Sequence, residues 1–109
     1  MVIKKILRAF DNAARKMERI CRKIGSEEDL LRLLRRNSSL NVNMLHFDNG
    51  EHSLLHLATL NNFPGCVDAL LKHGANVGSR VKSSGNTSLH IAAWKGYIDI
   101  VRTICMVQN

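Results

Sequence analysis

Five histidines (His46, His52, His56, His73, His90) and three cysteines (Cys21, Cys66, Cys105) are the side chains here that could ligate a metal or act as nucleophiles. His52 and His56 stand at H-x-x-x-H spacing, which on a helix puts two imidazoles on one face as a pair of zinc ligands. Between them lie Ser53, Leu54 and Leu55, with no glutamate to act as the base of a metalloprotease. Ser53 also reads as a helix N-cap, which leaves His52 outside the helix that would align the pair. The cysteines are odd in number, form no C-x-x-C pair and sit among aliphatic residues on expected helices. They read as small buried hydrophobes kept reduced, which points to a cytoplasmic or nuclear setting. The chain has no Gly-rich phosphate loop, no G-x-S-x-G elbow and no H-x-E with C-x-x-C. The expectation is a protein that is not an enzyme, with no cofactor, no metal and no small-molecule substrate.

The elements that hold these residues must fit into 109 residues, enough for one domain or a short stack of repeats. Apolar residues make up 45% and charged residues 23%, the balance of a folded chain, not a disordered one. One proline, seven glycines and five aromatics argue against a turn-rich sandwich or barrel. No apolar run approaches the roughly 20 residues of a membrane-spanning helix. The first 24 residues lack the apolar run and small-residue cleavage site of a secretory signal. They carry eight basic side chains against Asp11 and Glu18, a net +6 out of the total +7. The basicity therefore describes that segment and not the whole chain.

Laid on itself at an offset of 34, the chain repeats. Leu55 falls on Leu89, His56 on His90, Leu57 on Ile91, Ala58 on Ala92, Phe63 on Tyr97, Val67 on Val101 and Leu70 on Ile104. Each copy reads as two short helices. Ser53 and Thr87 offer capping hydroxyls, and the imidazoles of His56 and His90, three residues on, can bond back to them. Gly96, or Asn62 in the earlier copy, can take the left-handed conformation that stops a first helix. Pro64 suits the start of a second helix. His73 falls in the last turn of that helix, where positive charge is favourable. Cys66, Val67, Leu70 and Leu71, and likewise Ile100, Val101, Ile104 and Cys105, make the packing stripes.

Thr87-Ser88-Leu89-His90-Ile91-Ala92, and more loosely Ser53-Leu54-Leu55-His56-Leu57-Ala58, are similar to the T-P-L-H-x-A signature of ankyrin repeats, units of about 33 residues. Gly85-Asn86 before the second copy and 70–77 closing the first are also family-like. Both copies lack the signature proline, and the earlier one lacks threonine and the inter-helix glycine. The resemblance implies an all-α ankyrin-repeat solenoid of stacked helix-turn-helix units joined by β-hairpin-like loops. Upstream, Leu30, Leu33 and Leu34 align with Val67, Leu70 and Leu71 at an offset of 37, with Gly25 at the inter-helix position. Ser26 reads as an N-cap followed by acids in the first turn. The larger offset predicts a longer first hairpin around 47–50. The expected organisation is a basic amphipathic helix and degenerate capping unit over 1–36, then ankyrin repeats over 37–109 (about 50–82 and 84–109, the last incomplete).

Residues 1–24 place Ile3, Ile6, Leu7, Phe10, Ala13, Ala14, Met17, Ile20, Cys21 and Ile24 on one helical stripe with a basic outer face. That stripe is expected to pack on the first repeat and shield its end. The alternative is a surface-targeting module in which the basic helix binds an anionic membrane or an acidic partner. Asp11, Glu18 and the absence of serine count against an import presequence. Nucleic acid is the least supported partner, because no aromatic platform accompanies the charge.

The resemblance further implies a protein-protein interaction module, an adaptor or inhibitor, that binds through hairpin tips and the exposed faces of first helices. Carried over by position, the contact residues are His52, Leu60 and Asn61 in one unit and Asn86, Trp94 and Lys95 in the next. Trp94 would be the anchor. The last copy lacks the closing Gly-Ala-Asn, so its stripe is expected to face solvent at an open end that could bind a partner or a second copy.

Overall fold

The computed structural model describes residues 2–108, with side chains from residue 11 to residue 107. Helix α1 (Val2–Arg19) runs into a π turn, Ile20–Ile24. Ala13, Ala14, Met17, Ile20 and Cys21, spaced three and four apart, turn inward and are buried. The expected positions Ile3, Ile6, Leu7 and Phe10 lie outside the described side chains. The amide of Gly25 closes the π turn onto the Ile20 carbonyl at 2.7 Å, and Gly25 reverses the chain at φ 71°. Ile24, expected on the buried stripe, is instead half exposed. It holds the register position of Asn61 and Lys95, on the side that an interior unit turns toward the unit before it.

Helix α2 (Glu27–Arg36) begins as its sequence suggests: the Ser26 hydroxyl accepts from the Asp29 amide at 3.2 Å, with three acids in the first turn. Its last turn carries Arg35 and Arg36, the sign that suits that end. Leu30 and Leu34 are buried beneath it. Strands β1 (His46–Phe47) and β2 (His52–Ser53) then pair antiparallel, Phe47 opposite His52. The second hairpin closes in the same way, the Val81 amide on the Asn86 carbonyl at 2.9 Å. Four residues separate the paired positions in both, so the first hairpin is not the longer one. The extra chain lies ahead of it, in a turn after Asn37 and a 3-10 turn at Val42–Met44.

Helices α3 (Leu54–Leu60) and α4 (Pro64–Lys72) form the second unit, and α5 (Ser88–Lys95) and α6 (Ile98–Gln108) the third. Ser53 and Thr87 each cap a first helix in a reciprocal box: the hydroxyl accepts from the amide three residues on, and that residue's imidazole accepts from the cap amide. Pro64 starts α4 where its missing N–H costs no bond. First helices stack on first helices, α1 and its π turn on α3 and α3 on α5, while α2, α4 and α6 stack alongside. The shared core is centred on Met17, Leu30, Leu54, Leu57, Val67, Leu70, Ile100 and Ile104.

One expected stripe divides. Ile100 and Ile104 are fully buried, while Cys105 is exposed and Val101 half-buried. Ile100 and Ile104 hold the positions of Cys66 and Leu70, which face the preceding unit. Cys105 and Val101 hold those of Leu71 and Val67, which the following unit helps cover. The expected open-end stripe is thus half right, and Cys105 is not a buried hydrophobe.

Candidate protein-binding surface

Within the stack, unit is fastened to unit by polar contacts that use several of the residues expected to be free. The Arg22 guanidinium donates to Glu18 at 2.9 Å and to Asp48 in the first hairpin at 2.7 Å, holding the Asp48 carboxyl below its ordinary range. His52 Nδ1 lies 3.1 Å from the same carboxylate, so this hairpin residue is half-buried and engaged, not free. Asn43 donates to the Gly74 carbonyl at 2.9 Å and accepts from the Asn76 amide at 2.7 Å. Glu51 accepts from the Ser83 amide at 3.1 Å, tying one hairpin to the next.

His56 closes the set. Its Nδ1 accepts from the Ser53 amide at 3.0 Å, and its Nε2–H donates to the Ser79 carbonyl, in the turn that leads to the following unit, at 3.0 Å. Burial pushes its pKa below the ordinary 6.5. The His52 and His56 rings meet edge to face, centroids 6.3 Å apart, and both ring nitrogens of His56 are engaged by protein groups, which leaves it none for a metal. The zinc-pair geometry considered for them is therefore not formed.

Of the six expected contact residues, Asn61, Asn86, Trp94 and Lys95 are exposed, and the last three form one group on the third unit. Trp94, near the end of α5, is 85% exposed, with the Lys95 ammonium 5.8 Å above its ring. Leu60 is half-buried at the end of α3. The Asn61 amide donates to Leu57 at 2.8 Å and reaches the Cys21 carbonyl of the first unit at 3.4 Å. It is therefore exposed but engaged with the unit before it. Sequence reasoning missed Ile98, Met106 and Val107, which are exposed on α6.

The middle unit shows what the last one lacks. Leu55, His56, Thr59 and Val67 are buried there under the third unit. Their counterparts Leu89, His90, Ala93 and Val101 are half-buried or exposed. His90 repeats the capping box of His56, but among the described residues its Nε2 meets no carbonyl. The offset of 34 that aligned the two copies already contained this signal. The third unit thus presents a largely apolar face with one unused imidazole nitrogen.

The chain matches ankyrin repeats, in three copies, over residues 18–109. Among curated proteins it is similar to the B-cell lymphoma 3 protein homolog of Mus musculus, 36% identical over 80 residues. That match takes in 73% of the chain but spans only 17% of the relative's length.

Proposed function

This chain belongs to the ankyrin-repeat family, and we propose that it acts as an adaptor or inhibitor that occupies a protein partner without catalysis. The contact surface is the second hairpin and the outer face of α5: Asn86, Trp94 and Lys95. His52, Leu60 and Asn61 lie at the matching positions of the unit before and would act as its margin. Residues 1–36 close the other end as a capping unit, and the setting is cytoplasmic or nuclear, where the thiols stay reduced. The outer face of the third unit, uncovered among the described residues, is a further seat for protein, a second copy of this chain included.

Trp94 carries this reading. A tryptophan left 85% exposed beside a cation supplies a large rigid contact area at little entropic cost. The test is affinity capture from cell extract with the chain and with a Trp94→Ala/Lys95→Ala variant, helicity being followed by circular dichroism. Proteins held by the chain and lost by a folded variant support the reading. Retention of the same proteins by the variant removes Trp94 from the contact surface.

A further inference from the structure

The outer side of the first unit is built differently from the bare face at the opposite end. In the second unit, Cys66, Ala69 and Leu70 are fully buried where α4 packs on the unit before it. The corresponding positions of α2 are Asp29, Arg32 and Leu33. Two of the three have become charged, so another repeat cannot pack here without desolvating ions. Yet an apolar strip remains. Ile24 is 50% exposed and Leu33 half-buried, and they lie on one cleft of about 280 Å³ between the end of the first helix and α2.

Lys16, Arg19, Arg32 and Arg36 rim that cleft, with Asp29 the lone acid. Arg32 meets Asp29 at only 3.4 Å. Among the described residues Lys16, Arg19 and Arg36 have no acidic partner within ion-pair distance. We propose that this cleft is a second docking site, which takes an acidic amphipathic helix of a partner protein. Apolar side chains on the 3–4 spacing of such a helix lie on Ile24 and Leu33, and its flanking carboxylates meet the four cations. The apolar strip separates this site from a merely solvated basic face. A second copy of this chain does not fit, because the exposed end of α6 offers one acid, Asp99, beside Arg102.

The test uses the full chain and a labelled synthetic helix of about four turns, with leucines on the 3–4 spacing and glutamates flanking them. A scrambled peptide of equal composition and vesicles containing phosphatidylserine are the competitors, all read by anisotropy at about 0.15 M salt. Saturable binding of the patterned peptide is expected, weakened about tenfold by Arg32→Glu/Arg36→Glu and about fivefold by Ile24→Ser. Arg36→Gln, the milder change, should weaken it about threefold, and Arg102→Glu on the far helix less than about twofold. Equal affinity for the scrambled peptide, or equal loss in Arg102→Glu, would show unspecific charge attraction and overturn the proposal. Capture by vesicles in preference to the peptide would overturn it in favour of a membrane surface. The titration makes no use of the Trp94 face, so its failure leaves that reading standing.

Discussion

His56 donates from Nε2 to the carbonyl oxygen of Ser79 at 3.0 Å, and this bond runs from the first helix of one unit into the turn that leads to the next. The same ring accepts at Nδ1 from the Ser53 amide. One imidazole therefore caps its own helix and fastens the following unit. Both tasks require the neutral form with its proton on Nε2.

Protonating that ring turns Nδ1 into a donor facing a donor. Burial holds the folded pKa below 6.5, so the unfolded chain takes up a proton that the folded chain refuses. The stability that follows is whole above pH 6.5 and is lost as pH falls toward the folded value. Urea midpoints measured between about pH 7.5 and 5 should fall, with a slope from this group of at most about 1.4 kcal/mol per pH unit. In His56→Gln that component should vanish, at a cost of about 2 kcal/mol near neutrality. A variant with the slope of the parent would show that the titration lies elsewhere.

Two glycines make a second comparison. Gly25 and Gly96 both sit at positive φ, +71° and +73°. A Cβ on Gly25 would come 2.5 Å from the Phe63 ring, while one on Gly96 meets nothing within 4 Å. Gly96→Ala should cost about 1–2 kcal/mol for the left-handed backbone alone. Gly25→Ala should cost about 2–4 kcal/mol, because the ring must move as well. Equal losses in chemical denaturation would mean that Phe63 yields freely.

The capping boxes were legible because they are local: Ser53 with His56 and Thr87 with His90 are three residues apart. The long-range partners were not. Nothing near Asn61 in the sequence indicates that its amide reaches Cys21, and nothing near Asp48 that Arg22 holds its carboxylate. Pattern marks such side chains as polar and exposed, and tertiary contacts decide whether they are free. Ile24 misled because amphipathic periodicity counts an apolar residue as inward even where no unit stacks on it.

The cysteines should separate by accessibility. Cys21 and Cys66 are buried side by side, and the neighbouring thiol together with burial pushes Cys21 far above its ordinary range. Cys105 is exposed. A maleimide should label one thiol quickly in the native chain and the other two only on unfolding, with mass spectrometry assigning the fast one to Cys105. Rapid labelling of Cys21 would contradict the packing of the first unit on α4. A native disulfide would contradict the reducing setting.

The last prediction concerns the two ends, which the fold treats unequally. At the first, charged residues stand where interior units carry apolar ones, so that face is at ease in water. At the other, Ala93, Val101 and Cys105 keep the small or apolar character of interior positions, and among the described residues no unit covers them and the His90 Nε2 meets no partner. Each unit is stabilised chiefly by its neighbours. The third, with one neighbour in place of two, should open at lower free energy than the second. Amide hydrogens of α5 and of α6 beyond Ile104 should therefore exchange faster than those of Val67–Leu71 in α4. The same face should associate with itself, apolar surface on apolar surface across a two-fold axis, in preference to the cationic cleft. Sedimentation over a range of concentrations should show that association, and Val101→Lys should abolish it while leaving the buried Ile100 and Ile104 undisturbed. A chain that stays monomeric throughout, with α6 as protected as α4, would show that the third unit closes the stack by itself.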